Sequence, residues 1–130
     1  MRFPLPIIHE KKFNPMKKIL LVDDDEDILD IVKSILTING FDVKTHSSNF
    51  NVSEIVKWTY PDLILLDIRF FGKLGTQICK ELKEIYDIPI ILFSADTRHG
   101  NEFKQCNADA FIQKPFDIKQ LVETINLHIN

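Results

Sequence analysis

No apolar run in these 130 residues approaches the ~18–20 residues that a membrane-spanning helix needs. Cysteine is scarce. Cys79 and Cys106 are far apart in sequence and form no CxxC pair, which argues against a zinc site and a disulfide scaffold and suits a reducing, cytoplasmic setting. The histidines His9, His46, His99 and His128 are scattered without HxxxH spacing, so each reads as a surface or boundary residue rather than a ligand. Excess positive charge is also missing. With a net charge of −3, the chain has no global basic field to hold nucleic acid or an anionic membrane. No glycine-rich phosphate loop and no GxGxxG occur, which argues against a dinucleotide-binding fold.

What is present is ordinary globular material, 45% hydrophobic and 27% charged, so disorder is not expected. The length fits one domain with one real core. Residues 1–15, MRFPLPIIHEKKFNP, hold three prolines and no helical period. Their apolar stretch is too short, and too broken by proline, for a secretory signal. Met16 then opens MKKILLVDDDEDI, which reads as a start in itself. The expected division is a flexible extension over 1–16 and a folded domain over 17–130.

From Lys17 onward, apolar runs alternate with helical periods. Ile19–Val22, Leu63–Leu66 and Ile88–Phe93 are continuous apolar runs, as expected of strands covered on both faces. Phe41–Thr45 and Ala110–Gln113 are mixed and suit edges or near-edges. Helices are expected over 26–39, 52–59, 75–86, 99–106 and 117–129. Asn39-Gly40 closes the first and Tyr60-Pro61 the second. The β-α alternation predicts an α/β fold, an open parallel sheet with helices on both faces.

Ligands of such sheets sit beyond the carboxyl ends of the strands. The residues found there are Asp23-Asp24-Asp25-Glu26-Asp27, Asp67, Ser94 and Lys114-Pro115. Clustered carboxylates repel one another, so a proton or a cation must enter. An all-oxygen donor set favours a hard ion such as Mg²⁺. A carboxylate can also take a phosphoryl group as an acyl phosphate, with hydroxyl and ammonium groups neutralising its oxygens. Residue types alone thus describe a self-phosphorylating switch. Asp25, Glu26, Asp27 and Asp30 read as helix N-terminal acids. Asp62 and Asp87 read as strand boundaries, Asp96 as a surface-loop residue, and Trp58 as packing at a helix end.

KKILLVDDDEDI, PDLILLDI, IPIILFSA and ADAFIQKPF, in that order, resemble the response-regulator receiver domain of two-component signalling, of the CheY-like superfamily. The resemblance covers 17–130. It implies a flavodoxin-like (βα)5 three-layer sandwich with strand order 2-1-3-4-5. It also implies that Asp67 accepts the phosphoryl group. Asp23 and Asp24 would hold Mg²⁺ with Asp67 and the backbone carbonyl of Arg69, Asp24 being the direct ligand. Ser94 and Lys114 would bind the phosphoryl oxygens. Pro115 would follow a cis bond, and Phe111 would be the aromatic switch residue. The implied donor is a histidine kinase or a histidine phosphotransfer protein, and the implied output is contact with a downstream protein, with no direct nucleic-acid or membrane role. The chain would be no enzyme beyond its own phosphoryl transfer and dephosphorylation.

The loop after Asp67, Arg69-Phe70-Phe71-Gly72-Lys73-Leu74-Gly75, lacks the proline and aspartate usual in the family. Those phenylalanines would shield the acyl phosphate or join a partner surface. The altered loop motivates one rival, a constitutive interaction module that needs no phosphorylation. A Mg²⁺-dependent aspartyl phosphatase fits poorly, since Arg69 stands where its second carboxylate belongs. A flavin module would meet a repulsive acidic strand end. Asn130 falls where the last receiver helix ends, which fits a stand-alone receiver or a domain of a longer regulator.

Overall fold

A computed structural model describes residues 16–47, 51–67, 75–94 and 106–129. Its strands are β1 (Lys18–Val22), β2 (Asp42–His46), β3 (Leu63–Asp67), β4 (Ile90–Ser94) and β5 (Ala110–Gln113). The described helices are α1 (Glu26–Ile38), α2 (Val52–Thr59), α3 (Gly75–Ile85) and α4 (Ile118–His128). The helix expected over 99–106 lies outside the described residues up to 105, and Cys106 itself sits in a turn. The extension 1–15 also lies outside them.

All four strand pairings are parallel, and the order is β2-β1-β3-β4-β5. This is the flavodoxin-like arrangement. The apolar runs are continuous because alternate side chains enter different cores. Leu20, Val22, Ile64, Leu66, Ile90 and Leu92 pack with Val52, Val56, Ile78 and Leu82 of α2 and α3. Ile19, Leu21, Leu63, Leu65, Ile91 and Phe93 pack with α1 and α4 through Leu29, Val32, Leu36, Leu121 and Ile125. Three layers result. Ile19 to Val22 have no exposed surface. Each such aliphatic side chain contributes roughly 1.5–3 kcal/mol on burial, which fixes the strand ends that carry the site.

The helix ends follow local chemistry. The Asp25 side chain caps α1 by accepting from the Asp27 and Ile28 amides. Gly40 takes φ 93°, and the N–H groups of Gly40 and Phe41 close on the carbonyls of Thr37 and Leu36. Phe41 therefore belongs to this cap, and β2 starts one residue later than its apolar pattern suggests. Tyr60 leaves α2 in the left-handed region at φ 42°, as the following Pro61 requires it to avoid the helical one. β4 starts at Ile90 rather than Ile88. Pro89 has no N–H to give the ladder, though its carbonyl accepts from the Ile64 amide at 2.9 Å.

Trp58 corrects an expectation. It is 79% exposed and does not pack at the helix end. Val52 and Val56 form the inner stripe of α2, and a residue two positions after Val56 falls off that stripe.

Candidate functional site

The strand order reverses at β1, which lies between β2 and β3, so a crevice opens beyond the carboxyl ends of β1 and β3. Val22 is level with Leu66, which sets Asp23 level with Asp67. Asp67 in turn is level with Phe93 of β4. Asp23, Asp67 and Lys114 fall on the same alternation as Leu21, Leu65 and Ile112, the residues facing α1 and α4. This shared parity, carried just past the strand ends, brings the three side chains together.

Asp23 has no exposed surface. Its N–H donates to the His46 carbonyl at 3.2 Å. Its Oδ1 accepts from the Asp25 amide at 2.9 Å, and its Oδ2 accepts from Lys114 Nζ at 3.0 Å. Asp67 is also buried, with its Oδ2 3.8 Å from the same ammonium. Lys114 Nζ lies 4.6 Å from the centre of the Phe93 ring, a cation–π contact that further fixes the charge. Asp24 is exposed at the mouth. One carboxylate oxygen from each of Asp23, Asp24 and Asp67 lies within 4.8 Å of the others. Among the described residues, one ammonium faces three carboxylates, an excess of negative charge. An all-oxygen set of this kind, open on one side, is able to bind a metal ion.

The imbalance is visible at Asp24. Partial desolvation, the hydrogen bond to Asp23 and the charge of Asp23 together hold its carboxyl above the usual range. A carboxyl raised in the folded state supports the fold below its ordinary value and loses that support as pH rises through its folded value. The metal-free protein should therefore shed stability as pH rises through the carboxylate range. Asp24→Asn should flatten that slope and weaken Mg²⁺ binding at least ~tenfold. Urea midpoints from about pH 4 to about pH 7, with and without Mg²⁺, would show it. An unchanged slope in the variant would place the repulsion elsewhere.

Ser94 ends β4 and is 1% exposed. Its carbonyl accepts from the Lys114 amide at 2.9 Å, and the Lys114–Pro115 bond is cis. Phe111 is half-buried in β5, level with Leu92, and packs on the α2–α3 core. Arg69, the Phe70-Phe71 loop and Asp96 lie outside the described residues. Asp25 acts as a helix cap, and Asp62 accepts from the Lys18 amide at 2.7 Å.

Sequence reasoning missed several contacts. It put Lys114 to phosphoryl oxygens and did not foresee its closer link to Asp23. Asp109 went unnoticed, yet it accepts from the Ile90 amide at 2.8 Å and from Lys83 Nζ at 3.0 Å, tying α3 and the start of β4 to the turn before β5. Its only sequence signal was its place just before a strand. Cys79 and Cys106, distant in sequence, meet in space, the Cys79 Sγ lying 3.6 Å from the Cys106 carbonyl oxygen. Neither forms a disulfide, and both are buried. Hydrogen bonding to Cys106 and burial push the Cys79 thiol up, away from thiolate chemistry.

Fold and pocket thus define a flavodoxin-like α/β domain with an acidic, cation-seeking crevice at its switch point. The family model described as the response regulator receiver domain matches residues 19–126, and the chain belongs to that family. It is 37% identical over 114 residues to the nisin biosynthesis regulatory protein NisR of Lactococcus lactis, a match covering 86% of this chain and 50% of that protein. The chain therefore spans about half the length of that relative. A response regulator receiver domain protein from Clostridium thermocellum superposes with a TM-score of 0.82 at 27% identity, covering 88% of this chain and 95% of that one. The BeF3-activated N-terminal receiver domain of Klebsiella pneumoniae RstA gives 0.79 at 28% identity, covering 85% and 97%. The chain is a receiver domain of the two-component response-regulator type. Among the described residues, no helix is long and apolar enough to cross a membrane.

Proposed function

We propose that this domain is a phosphorylation-dependent switch that takes a phosphoryl group on Asp67 in the cytoplasm. The carrying observation is the convergence of Asp23, Asp24 and Asp67 with the Lys114 ammonium at the ends of β1, β3 and β5. In the proposal, Asp23, Asp24, Asp67 and the Arg69 backbone carbonyl hold Mg²⁺. When bound, the ion supplies positive charge against the transferring phosphoryl oxygens.

An Asp67 carboxylate oxygen attacks phosphorus on a phosphohistidine of a sensor kinase or phosphotransfer protein. The P–N bond breaks, the acyl phosphate forms, and the histidine leaves with the electron pair. The Lys114 ammonium, 3.8 Å from Asp67, shifts toward the new dianion, and the Ser94 hydroxyl donates to it. Phe111 then turns toward the space Ser94 gives up. The β4–β5 face is the two-state element, read by a downstream protein. A few kcal/mol of differential stabilisation is enough for that shift. The domain has no other catalytic role.

The test is intact mass after incubation with acetyl phosphate. With Mg²⁺, one phosphoryl group should be gained; with the metal chelated, the gain should fall at least ~100-fold in rate, as expected for loss of several kcal/mol of charge stabilisation. No gain with Mg²⁺, and no binding of beryllofluoride, would instead favour a constitutive interaction module.

A further inference from the structure

Burial in β4 does not by itself call for an aromatic ring. Ile90, Ile91 and Leu92 fill the same strand with branched aliphatic chains. Phe93 is 3% exposed and belongs to the core that holds Leu65, Ile112, Leu121 and Ile125. A leucine could serve much of that packing. What it would lack is a ring face, electron-rich at its centre.

That face meets the pocket. Phe93 is level with Asp67 on β3 and with Ile112 on β5, and Lys114 follows Ile112 by two residues on the same side of the sheet. The Lys114 amide donates to the Ser94 carbonyl at 2.9 Å, which anchors the lysine backbone beside the ring. Its Nζ stands over the ring, 4.6 Å from the centroid, 3.0 Å from Asp23 Oδ2 and 3.8 Å from Asp67 Oδ2. The ring is braced in turn by Phe116, with centroids 6.3 Å apart and planes at 75°.

Phosphoryl uptake asks this ammonium to exchange Asp23 for the new dianion as its nearest partner. A hydrogen-bond acceptor beneath it would hold it in a narrow angular minimum. An aliphatic surface would desolvate it on that side with no compensation. A ring face attracts a cation out to about 6 Å from its centroid, so the attraction persists while the ammonium moves. We infer that Phe93 is a positioning residue for phosphoryl transfer, its ring face guiding the Lys114 ammonium from Asp23 to the phosphoryl group on Asp67. The inference rests on the phosphoryl-accepting reading of Asp67.

The test replaces Phe93 by leucine and, through nonsense suppression, by mono-, di- and trifluorophenylalanine. Fluorine drains the ring face of negative potential and hardly changes its shape. The rate of uptake from acetyl phosphate with Mg²⁺, read by intact mass, should fall stepwise with fluorine count. The trifluoro and Phe93→Leu proteins should both lose about threefold to tenfold at saturating donor, with the half-saturating concentration unchanged. Without any donor, the Lys114 Cε protons should resonate upfield of those of other lysines in wild type, by ring current, and return in Phe93→Leu. Lys114→Met identifies that signal. A slow Phe93→Leu beside a fluorine series at the wild-type rate would reduce Phe93 to packing and overturn the inference. So would a Lys114 signal without the ring-current shift. Wild-type protein that takes up no phosphoryl group would instead overturn the reading of Asp67, and the inference with it.

Discussion

Replacing Lys114 by methionine is expected to cost on the order of 3 kcal/mol in the metal-free protein, the range for breaking a buried ion pair from one side. The cause is Asp23. It has no exposed surface, and Lys114 Nζ at 3.0 Å is its cationic partner. Methionine keeps most of the stem volume over Phe93 and removes only the charge. Three carboxylates then face one another without that ammonium, and protonation or unfolding relieves them. Mg²⁺ should narrow the gap between wild type and variant, because a divalent ion supplies charge at the same place. Urea unfolding of both proteins, with and without Mg²⁺, measures this. A loss below about 1 kcal/mol would show that the pair contributes no more than an exposed one.

Asp67→Asn should abolish phosphoryl uptake altogether while leaving the fold in place. The amide is isosteric with the carboxylate, and Leu63 to Leu66, which position residue 67, are untouched. The amide oxygen is too weak a nucleophile to form an acyl phosphate. Removing one of three crowded negative charges should, if anything, raise metal-free stability. Intact mass with Mg²⁺ and acetyl phosphate reads the first effect, and thermal unfolding reads the second. Uptake at the wild-type level would move the acceptor to another group of the pocket, with exposed Asp24 the first to examine.

Much of this architecture was legible because the sheet is buried on both sides. Ile19–Val22 and Leu63–Leu66 could satisfy that demand only as central strands, and the residues after them had to form one edge. The strand ends placed Asp23, Asp24, Asp67, Ser94 and Lys114 at that edge, the family resemblance assigned their roles, and the structure brings Asp23, Asp24, Asp67 and Lys114 together. The boundaries were less legible. Phe41 is apolar enough for a strand yet serves a helix cap, and Ile88 is buried without joining β4 because Pro89 intervenes. Trp58 misled because bulk suggests burial, while its angular position on α2 decides otherwise. The Asp23–Lys114 pair and the Cys79–Cys106 contact were out of reach, since both join residues that only the completed sheet brings near.

The 91-position separation of Asp23 and Lys114 also sets an order of events during synthesis. A nascent chain has all three carboxylates of the pocket by residue 67, while its ammonium arrives with the last strand. Until β5 pairs with β4, the β1–β3 edge carries unbalanced charge that water or a divalent ion must neutralise. Parallel pairing of this kind is already slow because its contacts are non-local. The final strand is thus an electrostatic keystone, since the ammonium that offsets the buried Asp23 comes only with it.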